Sequence, residues 1–222
     1  RRKYKSHFVL IAGVTPAVQL LASVHSALGE RFLRYRIRYM SEASVARETI
    51  GKAISAIGME EKMQQAMSET AAACLNRDVP SDQTPRLPQG ILDQIIGLAR
   101  WVGLLRGTVE HDRYSGILMY KPSSEVGTRL GKQLAKLAYG IALFHQVPEV
   151  TPEIYQTLTR VARETCPDRA EALVRALFLK GAMEAKDVAH TTRLPAGTCS
   201  HVLEDLRLLR VVGKGDDSKW NL

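Results

Sequence analysis

Three cysteines, Cys74, Cys166 and Cys199, are scattered along the 222 residues and odd in number. Such a set excludes a disulfide framework and a cysteine-rich zinc module, and it suits a reducing, cytoplasmic compartment. No His–Cys cluster, Ser-His-Asp arrangement or acid pair with readable spacing is present, so no metal site is expected. No apolar run approaches the roughly 20 residues of a membrane span, and no membrane partner is expected. Phe8–Val14 follows a basic start, as in a secretory leader, but Thr15-Pro16 ends it at the short limit for one. The chain also lacks G-x-x-x-x-G-K-[ST] and any apolar strand ending in Asp-Glu. The phrase Gly127-Thr128-Arg129-Leu130-Gly131-Lys132-Gln133 has the wrong spacing for a phosphate loop and no hydroxyl after Lys132. Without a phosphate loop and a magnesium-holding carboxylate, this chain alone is not expected to bind or hydrolyse ATP.

What is present is an ordinary globular composition, 45% hydrophobic and 24% charged, with a net charge of +8. The charge is uneven. Arg1, Arg2, Lys3, Lys5, Arg31, Arg34, Arg36 and Arg38 face only Glu30 among the first 38 residues. A cluster of this kind attracts polyphosphate or nucleic acid, unless it is merely a solvated edge.

Phe8–Val14 reads as a strand buried on both faces. Ala17–Leu28 reads as a helix stopped by Gly29, and Phe32–Ile37 as a second strand. Strand, helix, strand is the grammar of a parallel sheet. Residues 41–77 are helical with a break at Gly58, and Val79–Pro88 is a proline-rich connector. Gly90–Arg106 resumes as a helix with Ile91, Ile95, Leu98, Val102 and Leu105 on one face. The segment Arg113–Pro122 is short and aromatic, extended or a hairpin. Glu125–His145 is the clearest helix, striped by Leu130, Leu134, Leu137, Ile141 and Phe144. Thr151-Pro152-Glu153 opens the next, with Thr as N-cap and Pro at the first helical position.

Cys166-Pro167-Asp168 marks a boundary. Helices are expected at Arg169–Lys180, Glu184–His190 and Ala196–Leu209, followed by a hairpin whose tip is Gly213–Ser218. Three helices and a polar-tipped hairpin describe a winged helix-turn-helix. Cys199, Val202, Leu203, Leu206 and Leu209 would face its core. Thr198, Ser200, His201 and Arg207 would face a DNA groove, with Lys214 and Lys219 on the wing touching phosphates. Against tight reading of DNA, residues 168–222 hold nearly as many acids as bases, and protein contacts would serve such a module as well.

The run IAGVTP, then LGERFLRYRI, then VGTRLGKQLAKLAYGIA and EVTPEIY is similar, in order and spacing more than identity, to the late motifs of AAA+ ATPases. The resemblance is nearest to minichromosome-maintenance-type helicases and ATPases of phages and mobile elements, and covers Phe8 to about Ala162. It implies that Thr15, at a strand end, positions the attacking water; the family usually has Asn there. It implies that Arg31 is the arginine finger acting on a neighbour's γ-phosphate, with Arg34 the alternative, although Phe32 is followed by Leu33 rather than Asp. It implies that Arg129 is the lid arginine contacting nucleotide; a cation in a helix's first turn opposes the macrodipole and suits an external anion.

The fold class expected is therefore mainly α with an α/β remnant. The end of an ATPase core would span 1–40, a helical segment with connector 41–122, a lid 123–166 and a winged helix 167–222. Since the chain opens on Arg1, it is expected to be the back part of a longer, ring-forming, DNA-associated ATPase, a helicase or a replication ATPase. ATP and Mg would bind in the intact parent, and DNA and further copies of the chain would be its partners. The alternatives are a non-enzymatic winged-helix DNA-binding transcriptional regulator and a scaffold.

Overall fold

A computed structural model of the chain describes residues 12–13, 32–36, 43–76, 84–112 and 114–222. Residues 1–32 and 33–222 form two compact units. The strand expected at Phe8–Val14 and the helix at Ala17–Leu28 lie outside the described residues, apart from Ala12 and Gly13. Among the described residues the fold is mainly helical, with eight helices and one two-stranded antiparallel sheet.

In the larger unit, α1 (Ala43–Ser55) and α2 (Glu60–Leu75) flank a turn at Gly58, whose φ of 80° favours glycine. The break expected at Gly58 is there. Both helices keep large apolar side chains exposed, among them Ile50, Ile54, Met63 and Met67.

Next come α3 (Gln89–Leu105), α4 (Thr128–Phe144) and α5 (Pro152–Thr165), each packed on the other two. Ile91, Ile95, Ala99, Val102 and Leu105 on α3 meet Leu130, Leu134, Ala138 and Ala142 on α4, with Ile154, Leu158 and Ala162 from α5. The apolar stripe read on α3 is nearly the buried one. On α4 it diverges after Leu134: Leu137 and Ile141 are half-buried, Phe144 is exposed, and the buried positions are alanines. Small residues let α4 approach both neighbours closely, which a stripe of large side chains would prevent.

Helix α4 starts three residues later than the apolar pattern suggests. The reason is a backbone crossing ahead of it. Glu125 donates its N–H to the Gly103 carbonyl at 3.2 Å, so the strand-like entry is pinned to α3. A Cβ on Gly103 would sit 2.6 Å from the Glu125 oxygen, and one on Gly127 would sit 2.5 Å from the Ala99 oxygen. Backbone cannot yield as a flexible side chain can. Gly127→Ala is therefore expected to destabilise the fold by about 1–3 kcal/mol, the usual cost of overpacking. Gly140, also on α4, meets nothing within 4 Å. Gly140→Ala should instead stabilise by roughly 0.5–1 kcal/mol through helix propensity. Paired urea melts check the opposite signs.

Thr151 and Pro152 open α5 as expected, at the N-cap and the first helical position, without a side-chain cap bond. The Thr151 side chain also lowers the Glu153 pKa. One expectation needs correction: the described residues 32–36 carry no sheet pairing. Instead, the Arg34 and Arg36 N–H groups donate to Thr165 Oγ1 at 3.0 Å and to Glu164 Oε2 at 2.5 Å. Arg36 pairs with Asp168, and the Arg160 guanidinium stacks 4.5 Å over the Tyr35 ring. The donors a sheet would have used are thus satisfied by the C-terminal turn of α5.

The last three helices, α6 (Asp168–Lys180), α7 (Ala185–Thr192) and α8 (Ala196–Leu208), again pack mutually. They precede a hairpin of β1 (Gly213–Lys214) and β2 (Trp220–Asn221), in register Gly213 opposite Asn221. Met183, between α6 and α7, adds a third short pairing: its N–H donates to the Trp220 carbonyl at 3.0 Å, and the Trp220 N–H returns at 2.8 Å. One continuous apolar core runs from Ile91 to Trp220.

All three cysteines are free thiols. The Cys166 S–H donates to the Ala162 carbonyl at 3.4 Å, and burial pushes its pKa far up. Burial also raises the Cys199 thiol. Only Cys74, on α2 and partly exposed, should react rapidly with a disulfide reagent. The other two should wait for unfolding, and thiol titration with and without denaturant reads this directly.

Candidate functional site

Two of the expected catalytic positions, Thr15 and Arg31, lie outside the described residues. Arg34, the alternative arginine, is half-buried on the segment that runs along α5.

Arg129 is exposed in the first turn of α4. That turn contains no acidic residue, and Lys132 one turn on is exposed as well. Two cations at the positive end of a helix repel its unsatisfied N–H groups. The arrangement is held by the glycine crossing described above, because Gly127 immediately precedes the helix. An anion placed there would meet both side chains and the end of the dipole.

The six residues expected to face DNA are spread over α8 and the hairpin, and four of them are occupied within the chain. Thr198 is half-buried and Ser200 exposed at the start of α8. The Arg207 guanidinium donates to Glu204 at 2.7 Å. Lys219 pairs with Asp217 at 3.0 Å; the pairing raises the lysine's pKa and lowers the aspartate's. Lys214 Nζ stands 5.0 Å from the Trp220 ring centroid, a cation–π distance. An acid within reach of each of Arg207 and Lys219 weakens their pull on phosphate.

His201 is the fourth. Its Nε2 lies 3.6 Å from Asp205 Oδ2, one turn along α8. Its ring centroid is 4.9 Å from that of His111. His111 belongs to a looped-out hairpin between α3 and α4, closed by the pairs Thr108–Ser123 and His111–Leu118. That hairpin matches the extended, aromatic reading of this stretch. Its tip is shaped by Asp112, whose Oδ1 accepts the Tyr114 N–H at 3.1 Å and the Ser115 N–H at 2.7 Å. These bonds hold the Asp112 carboxyl below the usual range.

The hairpin delivers His111 to α8, where its Nε2 sits 2.8 Å from Asp205 Oδ1. The other ring nitrogen faces the Gly116 carbonyl at 3.2 Å. With acceptors at both nitrogens, the imidazolium form is favoured and the His111 pKa is raised, chiefly by Asp205. Neither His111 nor Asp205 stands out in the sequence. The one local signal is His201-x-x-x-Asp205, which puts an imidazole and a carboxylate on one helix face.

The chain matches no protein-family model, no characterised protein and no solved structure.

Proposed function

We propose that this chain is the C-terminal part of a ring-forming, DNA-associated AAA+ ATPase, a helicase or a replication ATPase. It would contribute the arginine finger, the lid and the lid arginine to nucleotide held by a phosphate loop elsewhere in the parent. The observation that carries this reading is the exposed Arg129, with Lys132, at the acid-free start of a helix in a three-helix bundle. The physical chemistry there asks for an external anion, and the γ-phosphate of ATP supplies one. Arg31 is the finger, Arg34 the alternative, and Thr15 orients the attacking water.

Residues 168–222 fit a winged helix in this scheme. Three mutually packed helices, a hairpin, and the extra pairing between Met183 and Trp220 all support that reading. Thr198 and Ser200 at the start of α8 would enter the DNA groove. Internal pairing of Arg207 and Lys219 favours modest, salt-sensitive affinity. It equally suits a module that contacts protein, so the non-enzymatic regulator keeps a specific foothold here.

The test is DNA-stimulated ATP hydrolysis by the parent protein with Arg31→Ala and Arg129→Ala. Loss of hydrolysis in both, with ring assembly and ATP binding retained, supports the reading. Unchanged rates return both arginines to surface structure. A parent without ATPase activity leaves the winged-helix regulator as the better account.

A further inference from the structure

The cluster formed by His111, His201 and Asp205 has no part in the nucleotide reading and stands independently of it. Its three ligand-capable atoms lie within 4.8 Å of one another. Two imidazoles and a carboxylate are the donor set that zinc and its neighbours in the first transition row prefer. Zinc bonds of about 2.0–2.2 Å in a tetrahedral site require ligand atoms about 3.3 Å apart. His111 Nε2 lies 2.8 Å from Asp205 Oδ1 and His201 Nε2 lies 3.6 Å from Asp205 Oδ2, so the two imidazoles approach different oxygens of one carboxylate at separations on either side of that value.

Further features favour a metal over a simple ion pair. The Gly116 carbonyl, 3.2 Å from His111 Nδ1, is placed to accept a hydrogen bond from that nitrogen, the contact that orients a ligating histidine and leaves Nε2 as the ligand atom. His201 and Asp205 are one turn apart on α8, so the helix itself fixes their spacing. The remaining ligand arrives from a hairpin whose tip is separately held by Asp112. The second imidazole is not needed for a His–Asp pair. It packs 4.9 Å from the first, ring to ring, where one divalent ion would take a lone pair from each.

We infer that His111, His201 and Asp205 bind one divalent transition-metal ion of the zinc class, pinning the 108–123 hairpin to α8. Three protein ligands leave a coordination position for water. The bound ion withdraws His201 from any nucleic-acid contact and fixes the helix through Asp205.

The experiment is titration of the untagged full chain with Zn²⁺ by calorimetry, and with Co²⁺ by its visible absorption. One ion per chain is expected, together with a rise in melting temperature that EDTA reverses. His201→Ala leaves the hairpin's own bonds untouched, and its side chain is 60% exposed, so it should fold. It should nevertheless weaken binding beyond the roughly 10–100-fold that loss of a supporting group costs. Asp205→Asn should do the same. His145→Ala, a histidine outside the cluster, should bind as the parent does. Absence of stoichiometric binding in the parent overturns the inference, as does undiminished binding by His201→Ala, or weakening by His145→Ala equal to that by His201→Ala.

Discussion

Trp220→Ala should destabilise the protein by about 3–5 kcal/mol, the range for removing a large buried aromatic. Trp220 is 2% exposed although it lies two residues from the end of the described chain. Its backbone exchanges two hydrogen bonds with Met183, and its ring packs into the core that also contains Leu203, Leu206 and Val212. The hairpin it closes has two residues per strand, far too little to persist unaided. The indole therefore holds the hairpin to the helical core, beside the pairing with Met183. Trp101 and Trp220 are the chain's two tryptophans, so a Trp101→Phe background makes Trp220 the sole indole reporter. In that background Trp220→Phe should retain most of the stability while Trp220→Ala loses it, measured by urea unfolding with far-ultraviolet circular dichroism. A loss below about 1 kcal/mol would mean that the ring covers surface rather than core.

How much of this could be read from residues alone depends on the range of the interaction. On α3, the spacing of Ile91, Ile95, Val102 and Leu105 is a local consequence of 3.6 residues per turn, and the buried face follows it. The same holds for Cys199, Leu203 and Leu206 on α8 and Leu209 just beyond it; of the five residues expected to face the core, only Val202 is half-buried. Periodicity cannot tell how near the next helix comes. That is why Ala138 and Ala142, rather than Leu137 and Ile141, fill the inner face of α4. The start of α4 was hidden for a related reason, since Gly103 and Gly127 act through contacts that join loop to helix. The His111–Asp205 bond spans 94 positions, and no window of sequence contains it. Arg207 and Lys219 look like phosphate contacts by charge and location, but Glu204 and Asp217, equally visible in sequence, reach them first.

Leu158→Ala should cost about 2–5 kcal/mol, on the scale of leucine truncations in closed cores. Leu158 has no exposure and sits on α5, which packs against both α3 and α4. A void there opens between all three helices, and the backbone cannot close it without breaking the contacts of Leu134 or Val102. The loss is a large share of the roughly 5–15 kcal/mol that stabilises a typical domain. The more discriminating outcome is where the loss appears. The apolar core continues from Ala162 and Cys166 on α5 and its cap into Ala170 and Leu173 on α6. Arg163 on α5 also donates to Glu171 on α6 at 2.7 Å. Leu209 beyond α8 reaches back to Gly107 beyond α3, where its Cδ2 lies 2.5 Å from the place a glycine Cβ would take. Two helix groups sharing core and contacts in this way should unfold as one cooperative unit. In a Trp101→Phe background, Leu158→Ala should therefore shift the Trp220 fluorescence midpoint by as much as the circular-dichroism midpoint, although Trp220 belongs to the other helix group. Separate midpoints, with Trp220 unmoved, would show two domains that merely touch.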